Sequence, residues 1–213
     1  AAAFTVALLA CGRSDAGDRA STISTAAGDS IARERQDSIN RAQPGYIIDS
    51  IRPIEVELER FRNAVGGFPT KRLEGGALSR NALVESFLKS LAAGDSVRLR
   101  SVAITAREFA DLIYPESPYP EPPYRQPPGL AWAQIQQASG TGLTRILRRL
   151  GSHQLAVSGS ACTRSEKQGL NTIWSECTIH VAEPGEAPRS RQLFGSIVQR
   201  GGQFKFLSFA NEF

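Results

Sequence analysis

Residues 154–181 read QLAVSGSACTRSEKQGLNTIWSECTIHV, and here the hydrophobic period becomes two. Ile173, Cys177, Ile179 and Val181 fall on one face with the small Ser175 between them. Trp174, Glu176, Thr178 and His180 fall on the other. That alternation marks a strand with one face turned to a core. Two strands are expected, Gln154–Thr163 and Thr172–Val181, around the polar turn Ser165–Gly169. An antiparallel register centred on the turn sets Cys162 opposite Cys177. A non-hydrogen-bonded cross-strand pair has the short Cα separation that a disulfide tolerates. A Cys162–Cys177 bridge is therefore expected, the alternative being two buried free thiols.

Downstream, Arg191–Gln199 and Gln203–Phe209 alternate in the same way, and Arg200-Gly201-Gly202 joins them as a tight hairpin. Upstream the period is helical. Ser79 can cap a helix whose Leu83, Val84, Phe87, Leu88 and Leu91 form one stripe, stopped by Gly94-Asp95. A short helical piece follows at Val97–Ser101. Thr105-Ala106-Arg107-Glu108 is a capping box that opens a helix with Phe109, Leu112 and Ile113 inside. Leu130–Leu150 is helical again, with a break or kink expected at Ser139-Gly140-Thr141-Gly142. Helices followed by hairpins give an α+β domain: N-terminal helices packed on a four-stranded antiparallel meander, one sheet face covered and the other free.

Residues 79–213 resemble the nuclear transport factor 2-like superfamily, a cystatin-type α+β cone. The likeness is carried by Asn81–Asp95, the Thr105–Ile113 helix and the closing hairpin Leu193–Phe209. It is topological and implies a cone that can hold a pocket. Only Val102-Ala103-Ile104 stands where the family has its early strands. The chain is also similar to bacterial lipoproteins that carry such a domain behind a polar tether.

The chain has 213 residues, a net charge of +4 and three cysteines. That suits one domain with a tail, and is too few cysteines for a disulfide-built scaffold. The third cysteine lies in AAAFTVALLACG, residues 1–12. Residues 1–10 have the length of a signal-peptide h-region, and their missing n-region is expected to precede them. Leu8-Leu9-Ala10-Cys11-Gly12 resembles the bacterial lipobox. The resemblance implies cleavage before Cys11 and lipid on it, placing the protein in the cell envelope, facing the periplasm or exterior. The alternative is an ordinary cleaved signal with a coincidental cysteine. Residues 11–45 have Ile23, Ile31 and Ile39 as their only large aliphatics and read as a disordered, lipid-anchored tether, with Glu34–Gln43 transiently helical. Residues 46–68 are expected to form an amphipathic helix, with Ile51, Ile54, Leu58, Phe61 and Val65 on one stripe and Gly66-Gly67 at its end. It could pack on the main domain, on a second copy or on a partner helix.

Tyr114 to Pro128 holds 7 of the 12 prolines, punctuated by Tyr114, Tyr119 and Tyr124. Such a stretch is a rigid strap tied down by its tyrosines, a lid or rim of a pocket, or a polyproline ligand. Candidate pocket or rim residues are Asp111, Tyr114, Tyr119, Tyr124 and Trp132. The two histidines, His153 and His180, are not at metal-ligand spacing, and no Asp follows Asp111. No phosphate loop or nucleophile elbow is present. No catalytic residue, metal or cofactor is assigned on this basis. Asp111 and Tyr114 could be cited for an isomerase or dehydratase that uses an acid base and a tyrosine donor. Arg145, Arg148 and Arg149 form a basic cluster suited to an anionic contact. The expected function is a non-enzymatic binding or assembly module, with that enzyme or a self-associating structural envelope protein as alternatives. Its partners would be the membrane, through Cys11, and a protein or second copy, through the free sheet face, with nucleic acid excluded.

Overall fold

A computed structural model describes residues 30–43, 52–153, 155–182 and 187–212. The expected h-region, Cys11 and residues 46–51 of the expected amphipathic helix lie outside the described residues; Arg52 and Pro53 are not helical, and the helix is shorter than expected, Ile54–Val65. The chain divides into two compact units, Ala1–Ile51 and Arg52–Phe213. In the first, residues 30–41 form helix α1, every residue of which is solvent-facing or nearly so. Among the described residues it covers 34–41 of the Glu34–Gln43 stretch expected to be helical.

The second unit is α+β. Its helices are α2 (Ile54–Val65), α3 (Arg80–Ala92), α4 (Ser96–Ser101), α5 (Ala106–Glu108) and α6 (Pro128–Leu150). Helix α5 runs on into a π-helical turn, Phe109–Ile113, and a 3₁₀ turn, Tyr114–Glu116. The sheet has five antiparallel strands: β1 (Ala156–Gln168), β2 (Asn171–Ala182), β3 (Arg189–Arg191), β4 (Ser196–Arg200) and β5 (Gln203–Ser208). Their order is β1-β2-β4-β5, and β3 pairs with the far end of β2.

The fifth strand arises because the expected strand Arg191–Gln199 is split. Leu193 and Phe194 are both fully buried. Both belong to one cluster, and strict alternation can turn only one of two neighbours toward the same face. The chain therefore leaves the extended form there and re-enters the sheet at Ser196. A second departure lies in β2. Glu176 has φ +52°, which interrupts the pleat. As a result Trp174 packs with Cys177, Ile179 and Val181, while Ile173 joins the opposite cluster.

Two apolar clusters use both faces of the inner strands. Ile197 and Phe206 belong to the first, with Phe87, Leu91 and Ile146. Val198 and Leu207 belong to the second, with Phe109, Tyr114 and Ile135. No face is free at β4 and β5; the expected free face survives only around β1 and the distal half of β2, where Glu176 and His180 are exposed. Helix α2 packs on this same domain through Ile54, Leu58 and Phe61. The outer edge of β5 is closed by bridges to Ala77 and Ala103.

Helix α6 runs unbroken for 23 residues through Ser139–Gly142. The small residues there serve a crossing, not a kink. Ser139 Oγ accepts from the Phe209 amide at 3.1 Å, and a Cβ on Gly142 would overlap the Phe209 carbonyl.

Candidate functional site

Residues 105–116 collect three carboxylates, each held by a different part of the chain. The capping box forms as its sequence implies: Thr105 Oγ1 accepts from the Glu108 amide and Glu108 Oε2 from the Thr105 amide. Glu108 does more. Its Oε1 accepts from the Glu74 amide at 2.8 Å, and Lys205 Nζ donates to Oε2 at 2.8 Å and Oε1 at 3.1 Å. The same ammonium donates to the Glu74 carbonyl at 3.0 Å. Lys205 is 2% exposed and Glu108 3%. A buried pair is tolerable only when its hydrogen-bonding capacity is met in this way.

Asp111 sits three residues on. Arg62 Nε donates to its Oδ1 at 3.0 Å, and Arg107 Nε to its Oδ2 at 2.7 Å. The Thr70 amide reaches Oδ2 at 2.9 Å. Burial pushes the Asp111 carboxyl up, but the Thr70 amide and the two guanidiniums outweigh it and hold the group below the usual carboxylate range. Arg107 Nη1 also donates to the carbonyls of Arg62 and Gly66, closing the C-terminal end of α2. Asp111 lines a cleft of about 510 Å³ with Arg62, Thr70, Lys71 and Arg107. Its oxygens are committed and its basicity is lowered, so the group is suited to clamping rather than to accepting a substrate proton.

Glu116 is the third. Its Oε2 accepts from Arg200 Nη1 and Asn171 Nδ2, both at 2.9 Å, and from the Leu170 amide at 2.8 Å. Asn171 Nδ2 also donates to the Leu112 carbonyl at 2.7 Å. The π-turn reshapes the helical ladder here, and this carbonyl turns to an outside donor. The approach requires Gly169, whose φ is +57° and where a Cβ would lie 2.6 Å from Glu116 Oε2.

Tyr114, Tyr119 and Trp132 gather on the Phe109 ring, at centroid distances of 5.8, 6.5 and 5.2 Å. Tyr114 is fully buried and donates its hydroxyl to the Gln126 carbonyl at 2.7 Å. Burial, helped by Glu55, pushes its phenol up to about 12. Tyr119 stacks on Tyr114, so the proline-rich stretch is strapped to the core by these two rings. Tyr124 instead points outward, 64% exposed. Asp111 does not face this aromatic group; its partners are Arg62 on α2, Thr70 in the loop after it and Arg107 on α5. Arg145 donates to the carbonyl and side chain of Asn211 and pins the C-terminal segment. Arg148 and Arg149 are exposed on α6. Cys162 and Cys177 are joined, S–S 2.03 Å. Cys11 lies outside the described residues.

Among the described residues, no group of three His, Cys, Asp or Glu side chains could hold a metal ion, and no helix is long and apolar enough to cross a membrane. No protein-family model, curated protein or solved structure matches this chain.

Sequence reasoning missed Lys205, Glu116, Asn171 and Arg200. Lys205 lies between Phe204 and Phe206 and reads as a solvent-side strand residue, and its partner is 97 residues away. One signal was present: Glu108, as the last member of a capping box, was bound to face the helix start.

Proposed function

We propose that this protein is a lipoprotein of the bacterial cell envelope, anchored through lipid on Cys11. Its nuclear transport factor 2-like, cone-type domain then serves as a non-enzymatic binding or assembly module. The observation that carries the second part is the filled interior. Phe87, Phe109, Tyr114, Phe194 and Phe206 are all at 0% exposure where a cone pocket would open. Glu108, Asp111 and Glu116, the three carboxylates of the Thr105–Glu116 segment, are each committed to cations and backbone amides. The first part rests on Leu8-Leu9-Ala10-Cys11 and on the Cys162–Cys177 bridge, which suits an oxidising compartment. Two or three acyl chains, each methylene contributing about 0.8 kcal/mol when buried, give stable attachment without a spanning helix.

The test is expression from the complete reading frame in a bacterium, followed by fractionation and mass spectrometry of the N-terminal peptide. The expected product begins at Cys11, carries acyl mass and partitions into detergent, and Cys11→Ser abolishes the acyl mass and the new terminus. A wild-type chain that is soluble and unacylated would end the lipoprotein reading.

A second reading, self-association, is favoured by one observation. Strand β1 is an edge, and nearly all of its residues are exposed. Such an edge can pair with another strand. Sedimentation velocity over a wide concentration range decides it, and a monomer throughout would remove it.

A further inference from the structure

The loop that follows α2 is fastened to the Asp111 clamp. It reads GGFPTKR, residues 66–72. Phe68, at its apex, is 93% exposed. Single exposed apolar residues are ordinary, but the setting of this one is not. Residues 60–72 contain Arg60, Arg62, Lys71 and Arg72 and no carboxylate. Gly66 and Gly67 have φ +64° and +76°, with open space around both. Pro69 follows directly. Both ends of the loop are fastened: Arg107 Nη1 donates to the Gly66 carbonyl, and the Thr70 amide donates to Asp111. Leu73, buried just beyond, fixes the exit. The Asp111 clamp thus fastens both ends of a projection with an aromatic tip and exposed cations at its base.

From this geometry we infer that the 66–72 loop docks the domain on an anionic lipid surface, Phe68 entering the acyl boundary and Lys71 and Arg72 meeting the headgroups. Apolar insertion and cation attraction to anionic lipid act together in interfacial binding. Ordering before binding reduces the entropic cost of docking. The inference deepens the envelope reading and rests on it for a bilayer being near, but it needs no acyl chain on Cys11. It also places the anionic contact on a different surface from Arg145, Arg148 and Arg149.

The experiment uses the full chain made without lipid, as Cys11→Ser, and phosphatidylcholine vesicles with and without phosphatidylglycerol. Co-sedimentation should appear only with the anionic lipid and should weaken as salt rises. Lys71→Glu with Arg72→Glu should lower the partition coefficient at least about fivefold for each charge removed. Phe68→Ser should lower it roughly tenfold or more. In Phe68→Trp, emission should shift to the blue on adding anionic vesicles. Arg148→Glu with Arg149→Glu, a charge-matched control on α6, should bind like the parent. Unchanged thermal unfolding of the loop variants shows that only the surface was altered. Equal binding to both vesicle types, parent-like binding by Phe68→Ser, or loss confined to the α6 variant would each overturn the proposal. So would a concentration-dependent dimer abolished by Phe68→Ser without lipid, because the loop would then serve a second copy. A chain that is acylated in cells yet fails the vesicle test keeps the lipoprotein reading and loses this one.

Discussion

Strands β5 and β1 lie at opposite sides of one sheet, and the chain secures them differently. At β4 and β5, consecutive residues such as Ile197 and Val198 are both buried because a cluster lies on each face. Polar cross-ties reinforce that half. Lys205 binds Glu108, and Arg200 binds Glu116, so the Thr105–Glu116 segment is fastened to two strands. Strand β1 has nearly every residue in solvent, one neighbour and one covalent tie, Cys162–Cys177. The two sides keep their stability in different ways. The inner half draws on packing and saturated ion pairs, while the outer hairpin depends on a crosslink and leaves an open edge.

Breaking the inner half should have the largest effect. Lys205→Met leaves Glu108 buried without its cation, and an orphaned buried charge costs roughly 3–5 kcal/mol. Urea unfolding of the variant should show that loss as a drop in midpoint with cooperativity retained. Removing the outer tie should cost about 3 kcal/mol for a loop of this size on the chain-entropy view. In the Cys162→Ser, Cys177→Ser variant, and on reduction, β1 should open before the rest, seen as proteolysis confined to residues 156–168. Gly142→Ala tests the crossing on α6. Its methyl must displace Phe209, an overpacking cost of about 1–3 kcal/mol readable from the melting temperature.

The smallest effect belongs to Asp111→Asn, roughly 1–2 kcal/mol at neutral pH from lost charge-assisted bonds. Its signature is in the pH dependence. The folded Asp111 titrates below its ordinary value of about 3.9. Its stabilisation is therefore full above that pH and is lost as pH falls through the lowered folded value. The variant should show a flatter acid limb below about pH 4, and the parent's steeper limb is the control.

Much of this contrast was written locally. The facing cysteines, the Thr105–Glu108 box and the stripe Leu83–Leu91 each lie within one hairpin or one helix; the turn expected at Ser165–Gly169 falls later, because the strand runs through Gln168 and the chain reverses at Gly169-Leu170. What could not be read depends on distant neighbours. Lys205 looks like a surface residue until the second cluster covers that face. Ser139–Gly142 looks like a helix breaker until Phe209 crosses it. Leu193-Phe194 looks like part of a continuous strand, and only the demand to bury both side chains in one cluster splits it. Asp111 and Tyr114 suggested paired chemistry by their spacing, but the π-turn between Phe109 and Ile113 and their separate partners send them to different surroundings.

Hydrogen exchange of the native protein, with and without reductant, tests the contrast between the two halves most directly. Amides of 105–116 and 197–206 should be the slowest in both conditions, and those of 156–168 should become fast only when the disulfide is reduced. Equal loss of protection across β1, β4 and β5 on reduction would contradict the account, because the sheet would then stand or fall as one unit on its crosslink.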